Sequence, residues 1–256
     1  MVACYDCTVN QSTHFGFQTV SSREKANRVM GVFSSVADKY DLMNDLMSGG
    51  AHRLWKRHML ARIQIREGGR VLDVAAGSGD IALGLARKVG ASGRVVLTDL
   101  NGPMLREGAR RMIDHGLLAG RADCVQANGE RLPFRDNSFD AVTIAFGIRN
   151  FSQVDEGLKE FIRLLKPGGQ FTCLEFSRPV LPMLDILYDA YSFNVIPALG
   201  EWVTGDRASY QYLVESIRRF PDQGRFLKLL DRAGFSLTRY ENLSGGIVAL
   251  HRGYKI

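Results

Sequence analysis

The hydrophobic residues change rhythm twice along the chain. From Ser22 to about Ile63, in EKANRVMGVFSSVADKYDLMNDLMSGGAHRLWKRHML, apolar residues recur every three or four positions and Gly49-Gly50 interrupts them. That spacing predicts two or three amphipathic helices. Between Arg70 and Phe176 the β-rich runs RVLDVA, RVVLTDL, ADCVQA, FDAVTIAF and QFTCLEF alternate with the helical patterns GDIALGLARKV, PMLREGARRMIDHG and DEGLKEFIRLL. Such alternation predicts βαβ units, hence a parallel sheet with helices on both faces, and Lys166-Pro167-Gly168-Gly169 reads as the turn before the fifth strand. After one more helix, GRFLKLLDRAG, the runs FSLTRYENL and GIVALHRGYKI flank Ser244-Gly245, which predicts an antiparallel pair.

The expected fold is therefore α/β: a Rossmann-like, seven-stranded, mostly parallel sheet with helices on both faces and a C-terminal antiparallel hairpin. Added to it are N-terminal helices and an inserted helical lid. We divide a single domain, residues 1–256, into an N-terminal helical cover (1–63), a core (64–179), the insertion (180–220) and a C-terminal helix and hairpin (221–256). The insertion, with PVLPMLDILYDAYSFNVIPALGEWV, is rich in aromatic and large aliphatic residues, but Pro182, Asp185, Asp189 and Pro197 interrupt it. Connections of that length are usually lids or substrate-binding elements. Leu184, Leu187, Tyr188, Tyr191 and Phe193 form a stripe that would line such a groove, and an ordinary core-facing helix would show the same stripe.

Composition narrows the classes of partner. The 256 residues are 45% hydrophobic and 23% charged, an ordinary globular balance. A formal charge of +6 suits an anionic partner, but the basic residues are scattered and form no block of five or more, so nucleic acid is not expected. Cys4 and Cys7 make the one C-x-x-C; Cys124 and Cys173 stand alone in apolar runs, and no second close pair is present to complete a zinc site. His52 and His58 do not share a helical face at i, i+4, and neither they nor His115 and His251 are expected to bind metal. No run of eighteen apolar residues occurs, and MVACYDCTVN lacks the basic-then-apolar layout of a secretion signal, so a cytoplasmic location is expected.

One stretch carries candidate chemistry: VLDVAAGSGD, residues 71–80. Gly77-Ser78-Gly79 followed by Ala82 satisfies G-x-G-x-x-G/A, and Asp99 lies twenty residues beyond Gly79, where a ribose-binding acid belongs. The loop alone fits a dinucleotide or a ligand without phosphates. Asp73, just before the turn, repels a pyrophosphate and suits a ligand with an ammonium and a sulfonium. Asp99 can accept both ribose hydroxyls, and Asn128, after the third strand, can read an adenine edge. No Tyr-x-x-x-Lys pair suggests hydride transfer. An NAD-linked oxidoreductase, a methyltransferase on another small molecule or RNA, and a non-enzymatic binding module stay open at this point. RNA is disfavoured because AFGIRN stands where base-flipping methyltransferases carry an Asn/Asp-Pro-Pro-aromatic stretch.

VLDVAAGSGD, LTDLN, ANGERLPFRDNSFDAVTIAFGIRN and LLKPGGQFTCLEFS together resemble the motif series of class I S-adenosylmethionine-dependent methyltransferases. THFGFQTV, FSSVADKYDLMNDLMS, HRLWKR, YDAYSFNVIP, SYQYLVESI and VALHRGYKI are similar to the ubiquinone/menaquinone biosynthesis C-methyltransferase family, over Thr13 to Ile256. The resemblance implies S-adenosyl-L-methionine as cofactor and methyl transfer to a ring carbon of a polyprenylated benzoquinol or naphthoquinol. Carried over position by position, cofactor contacts fall on Ser78, Asp99, Asn128 and Gly129; Asp73, Ala76, Gly77, Gly79 and Ala145 complete the expected cofactor-binding set. Ala145 departs from the family, which often has serine there and so a hydroxyl this chain lacks; Ala76 and Ser78 stand where many relatives have glycine and threonine. The catalytic candidates are Arg149, which would hold a phenolate, and Tyr40, which would orient the acceptor or a water. A surface salt bridge and a core aromatic are the plain alternatives for these two. Glu175 faces either the pocket or Arg178. A lipid acceptor implies peripheral contact at the inner face of the membrane, and a homodimer is expected.

Overall fold

The computed structural model describes residues 12–36, 44–45, 48–117, 120–180, 183 and 191–256. The chain opens with a feature the hydrophobic pattern did not predict, an antiparallel hairpin of β1 (Ser12–Phe15) and β2 (Gln18–Ser21). Helix α1 (Ser22–Val36) follows directly, and α2 (Ala51–Arg62) starts after the Gly49-Gly50 break. The N-terminal part is thus a hairpin and helices rather than helices alone.

The core then alternates as expected: β3 (Arg70–Val74), α3 (Asp80–Val89), β4 (Arg94–Asp99), α4 (Gly102–Asp114), β5 (Ala122–Gln126), β6 (Phe139–Ala145), α5 (Val154–Leu164) and β7 (Leu165–Phe176). The insertion supplies α6 (Ile196–Thr204) and α7 (Arg207–Arg219). Then come α8 (Gln223–Ala233), β8 (Ser236–Leu243) and β9 (Val248–Tyr254). The Lys166–Gly169 turn does not precede β7 but bulges within it, between the pairs Phe139↔Leu165 and Ala141↔Gln170.

The seven-stranded sheet runs β5-β4-β3-β6-β7-β9-β8, parallel except for β9, which is antiparallel to both neighbours. From β3 the chain builds outward through β4 and β5, then crosses back to lay β6 on the other side of β3. Ligands bind at such a reversal, outside the carboxyl ends of the strands. Period-two alternation supplies a core on each face: Val71 packs with Met59, Ile81, Leu85 and Met112, whereas Leu72 packs with Phe161, Phe171, Phe226 and Leu230. Each such side chain, fully withdrawn from water, contributes about 1.5–3 kcal/mol and makes the sheet a rigid base for the loops above it.

The N-terminal segment and the insertion are tied to that base near the same strand ends. Lys25 Nζ on α1 donates to the Phe151 carbonyl at 2.6 Å, Thr13 Oγ1 to the Ser152 carbonyl at 3.1 Å, and Ser152 Oγ back to the Ser22 carbonyl at 3.2 Å. In the insertion, Ile196, Tyr210 and Val214 form a small core against which Tyr191, Phe193 and Leu213 pack. Gly200 lets α6 and α7 meet, since a Cβ there would overlap the Tyr210 ring. Tyr191 and Phe193 of the expected lining stripe therefore pack within the insertion; Leu184, Leu187 and Tyr188 lie outside the described residues.

Candidate active site

The loop after β3 turns through positive φ at Ala75, Gly77 and Gly79. A Cβ on Gly79 would stand 3.1 Å from Met112 Cε and 3.3 Å from Leu97 Cδ2, and one on Gly108 of α4 would stand 2.8 Å from the Gly77 carbonyl oxygen. Glycines on both sides let the loop lie directly on α4. Asp99 at the end of β4 pins it: Oδ2 accepts the Gly77 N–H at 2.9 Å and Oδ1 the Asn101 N–H at 2.8 Å. Burial pushes the Asp99 carboxyl above its ordinary range, against the pull of these backbone donors. Asn101, a site residue the motif reading did not single out, caps α4 by accepting the Met104 N–H at 3.0 Å. Its Nδ2 donates to the Met30 carbonyl and Ser34 Oγ, which fastens α1 beside the loop.

Asp73 is 1% exposed. Its Oδ1 accepts the Thr143 hydroxyl at 2.8 Å, while Oδ2 has no hydrogen-bond partner. Burial pushes this carboxyl up to about 7, although the Thr143 hydroxyl and the Lys56 charge pull it down. A buried carboxylate oxygen without a partner is costly unless a donor or cation meets it. Asp80 occupies the first turn of α3, where a phosphate would otherwise sit, and is held by Lys56 at 2.7 Å and Arg111 at 2.6 Å. Burial raises the Asp80 carboxyl, but these two cations outweigh it and leave the net shift downward. The donor set at this loop fits a ligand with an ammonium and a sulfonium, and it opposes a pyrophosphate.

The other wall is aromatic. Trp55 of α2 and Phe146 and Phe176 from the ends of β6 and β7 form a cluster with centroid distances of 4.8–6.3 Å. Phe146 reaches the wall because Gly147 beside it leaves room for Ala75, whose Cβ would lie 2.5 Å from a Cβ at 147. Arg149 follows in a short 3-10 turn, Ile148–Asn150. Its Nη1 bonds Glu175 Oε1 at 2.9 Å and also the Phe146 carbonyl, and its guanidinium stands 5.6 Å from the Phe176 ring centroid. The Arg149 and Glu175 side chains are 4% and 1% exposed, so this is a buried pair rather than a surface salt bridge. Glu175 serves Arg149, not Arg178. Helix α7 closes the pocket with Ser209, Tyr210, Tyr212 and Leu213. Burial pushes the Tyr212 phenol up to about 12, and its hydroxyl donates to Asn150 Oδ1 at 3.0 Å.

Of the expected site residues, Asp73, Ala76, Gly77, Ser78, Ala145 and Arg149 line one pocket together with Val32 and Phe33 of α1, His52, Lys56, Phe146, Phe176 and the α7 side chains. Gly79 begins α3 and Asp99 stands behind the loop. Asn128 Oδ1 accepts the Glu130 N–H at 3.0 Å and so braces its own turn. At Gly129 a Cβ would overlap the Phe151 ring, so packing by itself requires glycine there. Tyr40 lies outside the described residues. His58 has an acid beside it, with Nε2 2.9 Å from Glu241 Oε2, and His251 is buried and pushed down to about 4. The aromatic wall and the α7 face escaped the motif reading, although HRLWKR and SYQYLVESI contain parts of them.

Known proteins agree with this geometry. The model of the ubiE/COQ5 methyltransferase family matches residues 20–255. The chain is 52% identical over 244 residues to the ubiquinone/menaquinone biosynthesis C-methyltransferase UbiE of Pseudomonas paraeruginosa, covering 95% of each chain. It is equally identical to that of Teredinibacter turnerae, covering 95% of this chain and 98% of the relative. Among solved structures, a SAM-dependent methyltransferase from Aquifex aeolicus superimposes with a TM-score of 0.58 at 17% identity, covering 78% of this chain and 89% of that one. The [4+2]-cyclase SpnF superimposes with a TM-score of 0.64 at 18% identity, covering 90% and 96%, a likeness of fold alone. With a sheet ordered around an acid-flanked glycine loop and a family match over nearly its whole length, this chain belongs to the ubiE/COQ5 methyltransferase family and is an S-adenosylmethionine-dependent methyltransferase.

Proposed function

We propose that the enzyme methylates a ring carbon of a polyprenylated quinol in ubiquinone/menaquinone biosynthesis, with demethylmenaquinol, 2-methoxy-6-polyprenyl-1,4-benzoquinol or both as acceptor. The observation that carries the reading is the pocket itself. It brings Asp73, with one oxygen unpartnered, together with an aromatic wall and a buried arginine. S-adenosylmethionine, when bound, supplies the electrophilic methyl group. Asp73 would take its ammonium end, Asp99 its ribose hydroxyls and the Asn128 turn its adenine, with Gly77, Ser78 and Ala145 shaping the space between. The residual acceptor capacity of Asp99 supports this, because a carboxylate oxygen already bonded to one N–H keeps a second lone pair.

The acceptor ring becomes a carbon nucleophile when its hydroxyl loses a proton, and the enzyme must hold that phenolate in line and dry. The planar guanidinium of Arg149 suits a phenolate; Glu175 keeps its fork fixed. Phe146 and Phe176, packed against Trp55, give an apolar surface for the ring, and Val32, Phe33 and Leu213 give apolar wall for the first part of the tail. Tyr40 is proposed to orient the acceptor or a water. No helix among the described residues is long and apolar enough to cross a membrane, and a lipid acceptor is met by peripheral contact at the membrane's inner face. Nucleic acid is not proposed as a substrate, and light scattering decides the expected homodimer. Transfer of labelled methyl from S-adenosylmethionine to each quinol class tests the function. Label on another small aromatic, with none on either quinol, removes it.

A further inference from the structure

The basic residues scattered in the sequence do not stay scattered in the fold. Arg178, Arg219, Arg225, Lys228 and Arg232 line one shallow concave surface around Phe220, Pro221 and Leu229. All five are exposed. Arg225, Lys228 and Arg232 are spaced three and four apart on α8, which places like charges on one helical face while Phe226 and Leu230 on the same helix are buried. Arg219 from the end of α7 and Arg178 beyond β7 add to the same field, and the Arg219 charge is felt at His14 of the N-terminal hairpin. Among the described residues only Arg225 of the five meets a carboxylate, Asp222 at 3.3 Å. Repulsion of this kind weakens the folded state, so its concentration in one place points to an anionic partner.

The neighbourhood identifies the kind of anion. Arg178 lies two residues before exposed Val180 and five before exposed Met183. Exposed aliphatic side chains next in the chain to a cationic cluster suit the headgroup region of a bilayer, where the charges meet lipid phosphates and the apolar tips enter the acyl boundary. The cationic surface also shares its elements with the pocket: Arg219 ends the helix whose Ser209–Leu213 stretch lines it, and Arg178 lies two residues past Phe176. We propose that this face, Arg178, Arg219, Arg225, Lys228 and Arg232 with exposed Val180 and Met183, docks on an anionic phospholipid bilayer. There it takes up an acceptor whose tail resides in the membrane. The proposal rests on the prenylated-quinol reading for its purpose, not for its physical basis.

Sedimentation of the full chain with vesicles tests it. Vesicles rich in phosphatidylglycerol should bind the protein at low salt and release it at high salt, whereas pure phosphatidylcholine vesicles should not bind it. The double variant Lys228→Glu/Arg232→Glu should partition at least about tenfold less. Its melting temperature and its methylation of a tail-less soluble acceptor should be unchanged, while its turnover of quinol presented in vesicles falls. Three results would each overturn the proposal: the double variant partitioning like the parent, equal binding to neutral vesicles, or tighter binding to duplex RNA than to anionic vesicles. Partitioning needs no methylation, so absent vesicle binding leaves the quinol reading intact. Vesicle binding without quinol methylation removes that reading alone.

Discussion

Tyr212 of the insertion lies flat on Phe15 of the N-terminal hairpin, with ring centroids 4.0 Å apart and planes 10° from parallel. Two segments from opposite ends of the chain thereby make one wall, and the Tyr212 hydroxyl carries that wall to Asn150, next to Arg149. Such a stack adds about 0.5–1.5 kcal/mol beyond the area it buries. Phe15→Ala should therefore lower the melting temperature slightly and raise the acceptor KM severalfold, with S-adenosylmethionine affinity unchanged. Equal losses in both affinities would mean that the hairpin supports the whole pocket and not the acceptor side.

The buried Arg149–Glu175 pair gives a sharper separation of stability from activity. Arg149→Met alone leaves Glu175 buried without a cation, and Glu175→Gln alone leaves Arg149 unpaired, each costing about 3–5 kcal/mol of stability. Removing both charges together should recover most of that loss. If Arg149 stabilises a phenolate, the double variant should melt near the parent yet keep a kcat reduced by orders of magnitude, with cofactor Kd little changed. A double variant that regains full activity shows the pair to be structural only.

How far the sequence carried depends on whether neighbours in space are neighbours in sequence. The seven strands of the sheet were legible because short runs of apolar, β-branched and aromatic residues are set off by helical patterns and turn residues, and the glycine loop, Asp73 and Asp99 because one motif of fixed spacing holds them in register. The Ser12–Ser21 hairpin was not. STHF and QTVS are too short and polar to show a period, and their partners Ser152 and Tyr212 lie far along the chain. The pairing of Arg149 with Glu175 was equally hidden, since only the adjacency of β6 and β7 joins residues 26 positions apart. Phe146 and Phe176 read as ordinary strand aromatics until the strand order set them beside Trp55.

Asp73 should make cofactor binding depend on pH. Its carboxyl stands at about 7 against an ordinary 3.8, so between those values the folded chain holds a proton that the unfolded chain has lost. By linkage this group makes the apo-protein less stable as pH rises through that window. A bound cation reverses the preference and favours the ionised form. Affinity for S-adenosylmethionine should climb as pH rises toward about 7 and level off above it, with proton release on binding detectable by calorimetry in two buffers of different ionisation enthalpy. Asp73→Asn should bind more weakly and show a flat profile. A wild-type profile without slope removes Asp73 from the cofactor's cationic end.

Asp99 should report on both the loop and the choice of cofactor. Asp99→Ala strands the N–H groups of Gly77 and Asn101, each worth about 1–3 kcal/mol when left unsatisfied in a buried place, and also removes the proposed acceptor for the ribose hydroxyls. Thermal stability and S-adenosylmethionine affinity should fall together, whereas Asp99→Asn should retain part of the first and less of the second. Wild-type protein should give binding heat with S-adenosylmethionine and none with NAD; the opposite pair of results defeats the reading of the loop.

Leu213 tests whether the insertion touches the isoprenoid tail. The residue is half-buried, packs on the Ile196–Tyr210–Val214 core and also lines the pocket, so its role as wall and its role as packing compete within one side chain. A fully buried leucine contributes about 1.5–3 kcal/mol, so truncating a half-buried one removes roughly 1 kcal/mol of contact, about fivefold in affinity. If that contact is with the tail, Leu213→Ala should lower kcat/KM about fivefold for a long-tailed quinol and leave a tail-less analogue unaffected, at an unchanged melting temperature. If it is with the insertion's own core, the melting temperature should drop and both acceptors should suffer alike. Leu213→Met keeps the volume and flexes, so it is the control for lost contact: it should behave like the parent under either account, and the alanine variant alone tells the two apart.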